Sequence, residues 1–96
     1  MVGDNDNSIF IGGKPFMSYV TGVVMQFTTK GFDEVIVKAR GKFIARAVDV
    51  TEVVCKRFLK DQVKLKDIKI DSEEFKNKEG KDVRVSSIEI TLAKNK

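Results

Sequence analysis

The last third of the chain constrains the fold most. From Val63 to Lys94, apolar and polar residues alternate on either side of N-K-E-G at 77–80, the pattern of two half-buried strands joined by a turn. Asn77 at the first position and Gly80 at the fourth suit a type I turn followed by a glycine bulge. That loop pairs Asn77 with Lys81, so Ile70 faces Ile88, Ile68 faces Ile90 and Phe75 faces Val83. The apolar positions are even-numbered near the body (68, 70, 88, 90, 92) and odd-numbered near the tip (75, 83, 85). A one-residue change of phase moves the apolar side to the other face of a ribbon. The outer hairpin therefore cannot pack on the core that the inner half covers, and is expected either to protrude as an arm or to curl over its own domain or a partner. Lys76, Lys78, Lys81 and Arg84 alternate there with Glu73, Glu74, Glu79 and Asp82. That mixture is no basic patch, but it is compatible with a two-stranded ribbon reaching into a groove.

Upstream, Ser8 to Ile11 reads as a short first strand buried on both faces and closed by Gly12-Gly13. Lys14-Pro15 opens a helix, with the proline expected at its first position, where a missing N–H costs nothing. Phe16, Val20, Val23 and Phe27 share one helical face, and Gly31 suits a left-handed cap. Gly22 inside this helix costs about 1 kcal/mol relative to alanine, so close packing or simple tolerance must account for it. Asp33 to Arg40 is a second strand, with Val35, Val37 and Ala39 on one side and Ile36, Lys38 and Arg40 on the other. A helix between two strands makes a β-α-β unit with parallel strands.

The second strand runs straight into a cluster of cations. Lys38, Arg40, Lys42 and Arg46 surround Gly41 with no acid among them, which suggests an anion-binding surface on a rigid turn. Lys42 to Leu59 is expected to be one regular helix, its apolar stripe formed by Phe43, Ala47, Val50, Val54 and Phe58. Arg46 and Lys56 lie on its mixed-charge side, where a solvated surface is the plain alternative to ligand binding. Phe58 stands near the helix end, as core or as an exposed anchor for another subunit.

The whole is an α+β architecture: a single two-layer β-α-β-α-β-β domain with a mixed four-stranded sheet, two helices and a protruding C-terminal β-hairpin. The domain spans residues 8–96 behind a disordered N-terminal tail at 1–7. A chain of 96 residues buries only about 60–65% of its unfolded surface, so association with a second copy would add useful burial. The formal charge of +4 leans toward anionic partners. Without histidine, the usual general base and His-bound zinc are absent, and the lone Cys55 excludes an internal disulfide. No acid, base and nucleophile converge, so neither an enzyme nor a bound cofactor or metal is expected. No apolar run approaches about 18 residues, so no membrane association is expected and the protein is placed in the cytoplasm. The G-G-K-P turn lacks the spacing of a nucleotide-binding loop. It is either a plain strand-to-helix connection or a nonspecific contact of Lys14 and nearby backbone N–H groups, Gly13 among them, with a phosphodiester.

Three stretches, I-F-I-G-G-K-P-F-M-S-Y-V, V-I-V-K-A-R-G-K-F-I-A-R-A-V-D-V and V-S-S-I-E-I, resemble the Alba family of small basic archaeal chromatin proteins, and a helix ending C-K-R-F-L matches as well. The likeness runs from about Ile9 to Lys94. It implies a homodimer that binds double-stranded DNA and also RNA without catalysis, through a basic body and two hairpin arms. By position, Lys14 is similar to the second lysine of the family's loop and Tyr19 to its helix tyrosine near nucleic acid. Arg40 and Lys42 match the basic pair around the turn glycine, Lys81 and Arg84 lie in the arm segment, and Phe58 matches the residue through which dimers associate. Many members read G-K-K-P; here Gly13 replaces the first lysine, which removes one phosphate contact and the acetylation site that the family's lysine offers.

The expectation is a non-catalytic architectural protein that coats or compacts chromosomal DNA, its nucleic-acid surface built from Gly13, Lys14, Tyr19, Arg40, Lys42, Arg46, Lys81 and Arg84. The alternatives are an RNA-binding or ribonucleoprotein role and a protein-interaction module whose hairpin augments a partner's sheet.

Overall fold

The computed structural model describes residues 7–95. All but one residue of the expected tail lies outside that range. The exception, Asn7, is no tail residue: its carbonyl accepts from the Ile36 N–H at 2.9 Å, and its side-chain amide donates to the Glu34 carbonyl at 2.9 Å.

Four strands form one sheet in the order β1-β2-β4-β3. They are β1 (Ser8–Phe10), β2 (Glu34–Arg40), β3 (Val63–Lys76) and β4 (Asp82–Lys94). β1 runs parallel to β2, as the β-α-β reading requires, while β2 with β4 and β4 with β3 are antiparallel. The sheet is thus mixed, and its two helices pack on one face. Val35, Val37 and Ala39 of β2 lie opposite Leu92, Ile90 and Ile88 of β4. These six side chains are buried against Val20, Val23 and Phe27 of α1 (Phe16–Thr28) and Ala47 and Val50 of α2 (Ile44–Val53).

Pro15 sits just outside α1, not at its first position, with φ −54° and ψ 140°. Gly31 adopts φ +72° in the turn beyond the helix. The first strand departs from expectation more clearly. Ile9 and Ile11 are covered, but Phe10 is 64% exposed, because an edge strand in a two-layer fold has helices on one side only.

The second helix is not uniform. Gly41, at φ +56°, starts a single 3₁₀ turn over Gly41–Phe43, α2 follows, and Val54–Phe58 closes as a π turn. The Leu59 N–H donates to the Val54 carbonyl at 2.8 Å, five residues back. This extra residue per turn advances the core position by one. Leu59 is therefore buried at 4% exposure, and Phe58, which the regular stripe would have put beneath the sheet, is 49% exposed.

The hairpin follows its expected register from Asp67 to Lys76, with Ile70 opposite Ile88, Ile68 opposite Ile90 and Phe75 opposite Val83. The Asn77 N–H donates to the Lys81 carbonyl at 2.9 Å, the Gly80 N–H donates to the Asn77 carbonyl at 3.0 Å, and Gly80 has φ +78°. Asn77 Oδ1 accepts from the N–H groups of Glu79 and Lys81, which accounts for asparagine here. A bulge between Leu65 and Asp67 shifts the register, so that Leu65 faces Leu92. The molecule measures 48 × 26 × 24 Å, the long axis reflecting strands of 14 and 13 residues that outrun the helices.

Candidate nucleic-acid interface

The loop before α1 is shaped by one phenol. Tyr19 projects from the first turns of α1 and is only 8% exposed. Its hydroxyl oxygen accepts from the Gly12 N–H at 2.9 Å and from the Lys14 N–H at 3.1 Å. Those two backbone donors are spent on Tyr19, leaving the loop's exposed Lys14 side chain as its cationic group. Tyr19 is buried and sets the shape of the loop. Gly13 is exposed, and a Cβ added there would meet nothing within 4 Å, so the position has room for a side chain such as lysine.

Arg46 joins this loop to α2. Its guanidinium lies 5.8 Å from the centre of the Tyr19 ring, and Nη1 donates to the Gly12 carbonyl at 3.4 Å. It is half-buried, so the reading of a freely solvated neighbour is corrected. Lys42 stands one helical turn earlier, exposed, with Nζ 5.4 Å from the Phe43 ring centre. Arg46 thus ties the Lys14 loop and Tyr19 to α2, one turn after Lys42. The positive φ of Gly41 reverses the chain between Arg40 and Lys42.

Arg40 is exposed but paired: Nη2 donates to Glu73 Oε2 at 3.2 Å. Nothing in the order of residues pointed to Glu73, because the pair spans 33 positions. The arm pairs its own charges too, Arg84 with Glu74 at 3.5 Å and Lys76 with Asp82 at 3.3 Å. Lys81 is exposed at the turn, away from the Lys14 loop. The expected residues thus divide into a body set, Lys14, Arg46, Arg40 and Lys42, and an arm set, Lys81 and Arg84. Val85, at the root of the arm, would lie 3.9 Å from a Cβ on Gly41, so the turn packs on the odd-numbered apolar side of the ribbon.

Chemistry beyond charge is sparse here. Burial first, and the Glu52 carboxylate second, push the Cys55 thiol up against the opposing pull of Lys56, which keeps it a neutral, partly buried side chain. Among the described residues no group of three or more His, Cys, Asp or Glu side chains could hold a metal ion, and no helix is long and apolar enough to cross a membrane.

Comparison with known proteins gives the family and the fold. The Alba family model matches residues 7–72. The chain is 48% identical over 89 residues to the DNA/RNA-binding protein Alba of Methanococcus maripaludis, covering 93% of this chain and 99% of that protein. It is 54% identical to the DNA/RNA-binding protein Alba 1 of Archaeoglobus fulgidus, covering 93% and 97%. Among solved structures, Alba from Thermoplasma volcanium superposes with a TM-score of 0.81 at 45% identity, over 91% of this chain and 99% of that one.

Proposed function

The chain belongs to the Alba family, and from that premise we propose that it is a non-catalytic architectural protein that binds double-stranded DNA and RNA as a homodimer, chiefly through phosphate contacts. The observation that carries this is the body surface: exposed Lys14, Arg40 and Lys42 are held around a loop whose backbone is fixed by Tyr19 and Arg46. Cations on a rigid scaffold neutralise phosphates at little entropic cost and read no base edges, so binding is to the backbone and nearly sequence-independent. The mixed charges of the arm make it a positioning ribbon along a groove, with Lys81 and Arg84 its phosphate contacts. The relatives' names cover both DNA and RNA, which favours a chromosome-associated protein that also handles RNA.

Homodimerisation is supported by the far side of the sheet's helical face. Leu65, Ile68 and Ile70 of β3 continue the rows of Leu92, Ile90 and Ile88, yet all three are exposed, Ile70 at 80%. The helices end before this strand, and a second copy is the natural cover. Exposed Phe58 stands on the π turn for contacts between dimers. Titration of matched DNA and RNA duplexes across a range of salt tests the reading: binding should weaken steeply as salt rises, and salt-insensitive binding, or none, would overturn it.

A further inference from the structure

On the open face of the sheet, Phe10 is a large apolar side chain that no helix covers. Phe10 ends β1 in register with Lys38, and its ring is 64% exposed. Lys38 Nζ lies 5.4 Å from the ring centre, and Arg40 follows two residues later on the same side of β2. The Gly12–Lys14 loop begins directly beyond, held to β2 where the Ile11 N–H donates to the Lys38 carbonyl at 2.8 Å. Acids share this face: Glu89 of β4 stands opposite Lys38, Glu73 pairs with Arg40 and must give way to a phosphate, Asp67 and Asp71 are on β3, and Glu34 is bound to Lys66 at the other end of β2.

A single exposed ring with one lysine over it offers too little apolar area for a protein partner. It has the two parts that hold an unpaired strand, a flat surface for a base and positive charge for the flanking phosphates. Bases within an undistorted duplex are already stacked on each other and present no free face to such a ring, short of the unstacking that a wedge requires. We infer that Phe10 is a stacking position for an unpaired nucleobase, with Lys38 and Arg40 on the adjoining phosphates, so that the protein holds single-stranded RNA or DNA through a contact no undistorted duplex makes. This rests on the nucleic-acid reading above and adds a second strand form to it.

The test titrates the full-length protein with a labelled oligothymidylate and, separately, with a DNA duplex. Phe10→Ala should weaken oligothymidylate binding roughly tenfold, the loss of one base–aromatic stack, and leave duplex binding unchanged. Phe10→Trp should preserve single-strand binding, whereas Phe10→Leu, which keeps apolar bulk but has no ring, should lose as much as alanine. Undiminished oligothymidylate binding by Phe10→Ala, or its restoration by leucine, overturns the inference. So does a wild type that binds the duplex but not the oligothymidylate, whereas a wild type that binds neither overturns the nucleic-acid reading itself.

Discussion

Arg40 and Glu73 face each other at the root of the arm, guanidinium to carboxylate at 3.2 Å, with both side chains more than half exposed. An exposed pair of this kind contributes about 0.2–1 kcal/mol, so it is easily broken, but a phosphate that takes Arg40 must displace Glu73 first. Glu73→Gln is therefore expected to tighten duplex binding about two- to fivefold. Arg40→Ala should weaken all sequences alike and make the salt dependence shallower by roughly one unit for each phosphate that is no longer neutralised. Fluorescence anisotropy at several salt concentrations measures both; unchanged affinity in the two variants would remove Arg40 from the interface.

Tyr19 acts differently, through the loop. Tyr19→Phe keeps a ring beneath Arg46 but removes the oxygen that accepts from Gly12 and Lys14. Leaving part-buried backbone donors without a partner costs about 1–3 kcal/mol, expected as a lower urea midpoint. Nucleic-acid binding should weaken with it, because Lys14 is then carried on a looser loop.

These two residues show where sequence reading reaches its limit. Asn77 and Gly80 disclosed the hairpin register because a tight turn sets its pairing through local backbone geometry, and β2 and α1 were legible because alternation and helical spacing are local periodicities. The Lys66 bulge and the Arg40–Glu73 pair arise between segments far apart in the chain, and the π turn is a one-residue slip inside an otherwise regular apolar stripe, so no periodicity reports them. Phe10 was legible in principle. It alternates with Ile9 and Ile11, and a strand that is the sheet's edge in a two-layer fold must leave one side open.

Gly22 is tolerated, not required. A Cβ there would meet Ile9 Cδ1 at 3.8 Å, an ordinary contact, and its φ lies outside the left-handed region. Gly22→Ala should therefore stabilise the protein by about 0.5–1 kcal/mol through helix propensity alone, seen as a rise of a few degrees in Tm. A fall in Tm would mean that the α1–β1 packing has no room for a methyl group.

The π turn predicts opposite outcomes for adjacent residues. Leu59→Ala removes a buried side chain and should cost about 2–4 kcal/mol in urea unfolding. Phe58→Ala removes a half-exposed ring and should leave the unfolding midpoint nearly unchanged, while reducing the cooperativity with which the protein coats long DNA. Equal destabilisation by the two would return Phe58 to the core, and cooperativity unaffected by Phe58→Ala would assign the association of dimers to another surface.

The exposed rows of β3 carry the prediction that separates subunit association from nucleic-acid binding. Ile70→Asp puts a charge on a side chain that is 80% exposed within one chain, so it should leave the protomer folded, with an unchanged circular dichroism spectrum. In a dimer that buries Ile70, the same carboxylate would lose its hydration without a partner, which costs several kcal/mol per ion. Sedimentation velocity is expected to find monomer where the wild type is dimer. Affinity for a duplex long enough to span both halves should then fall by more than about tenfold, because two linked sets of cations bind with a high effective concentration and a single set does not. Retention of the dimer in Ile70→Asp would move the interface off this edge, and full affinity in a monomeric variant would mean that each protomer binds alone.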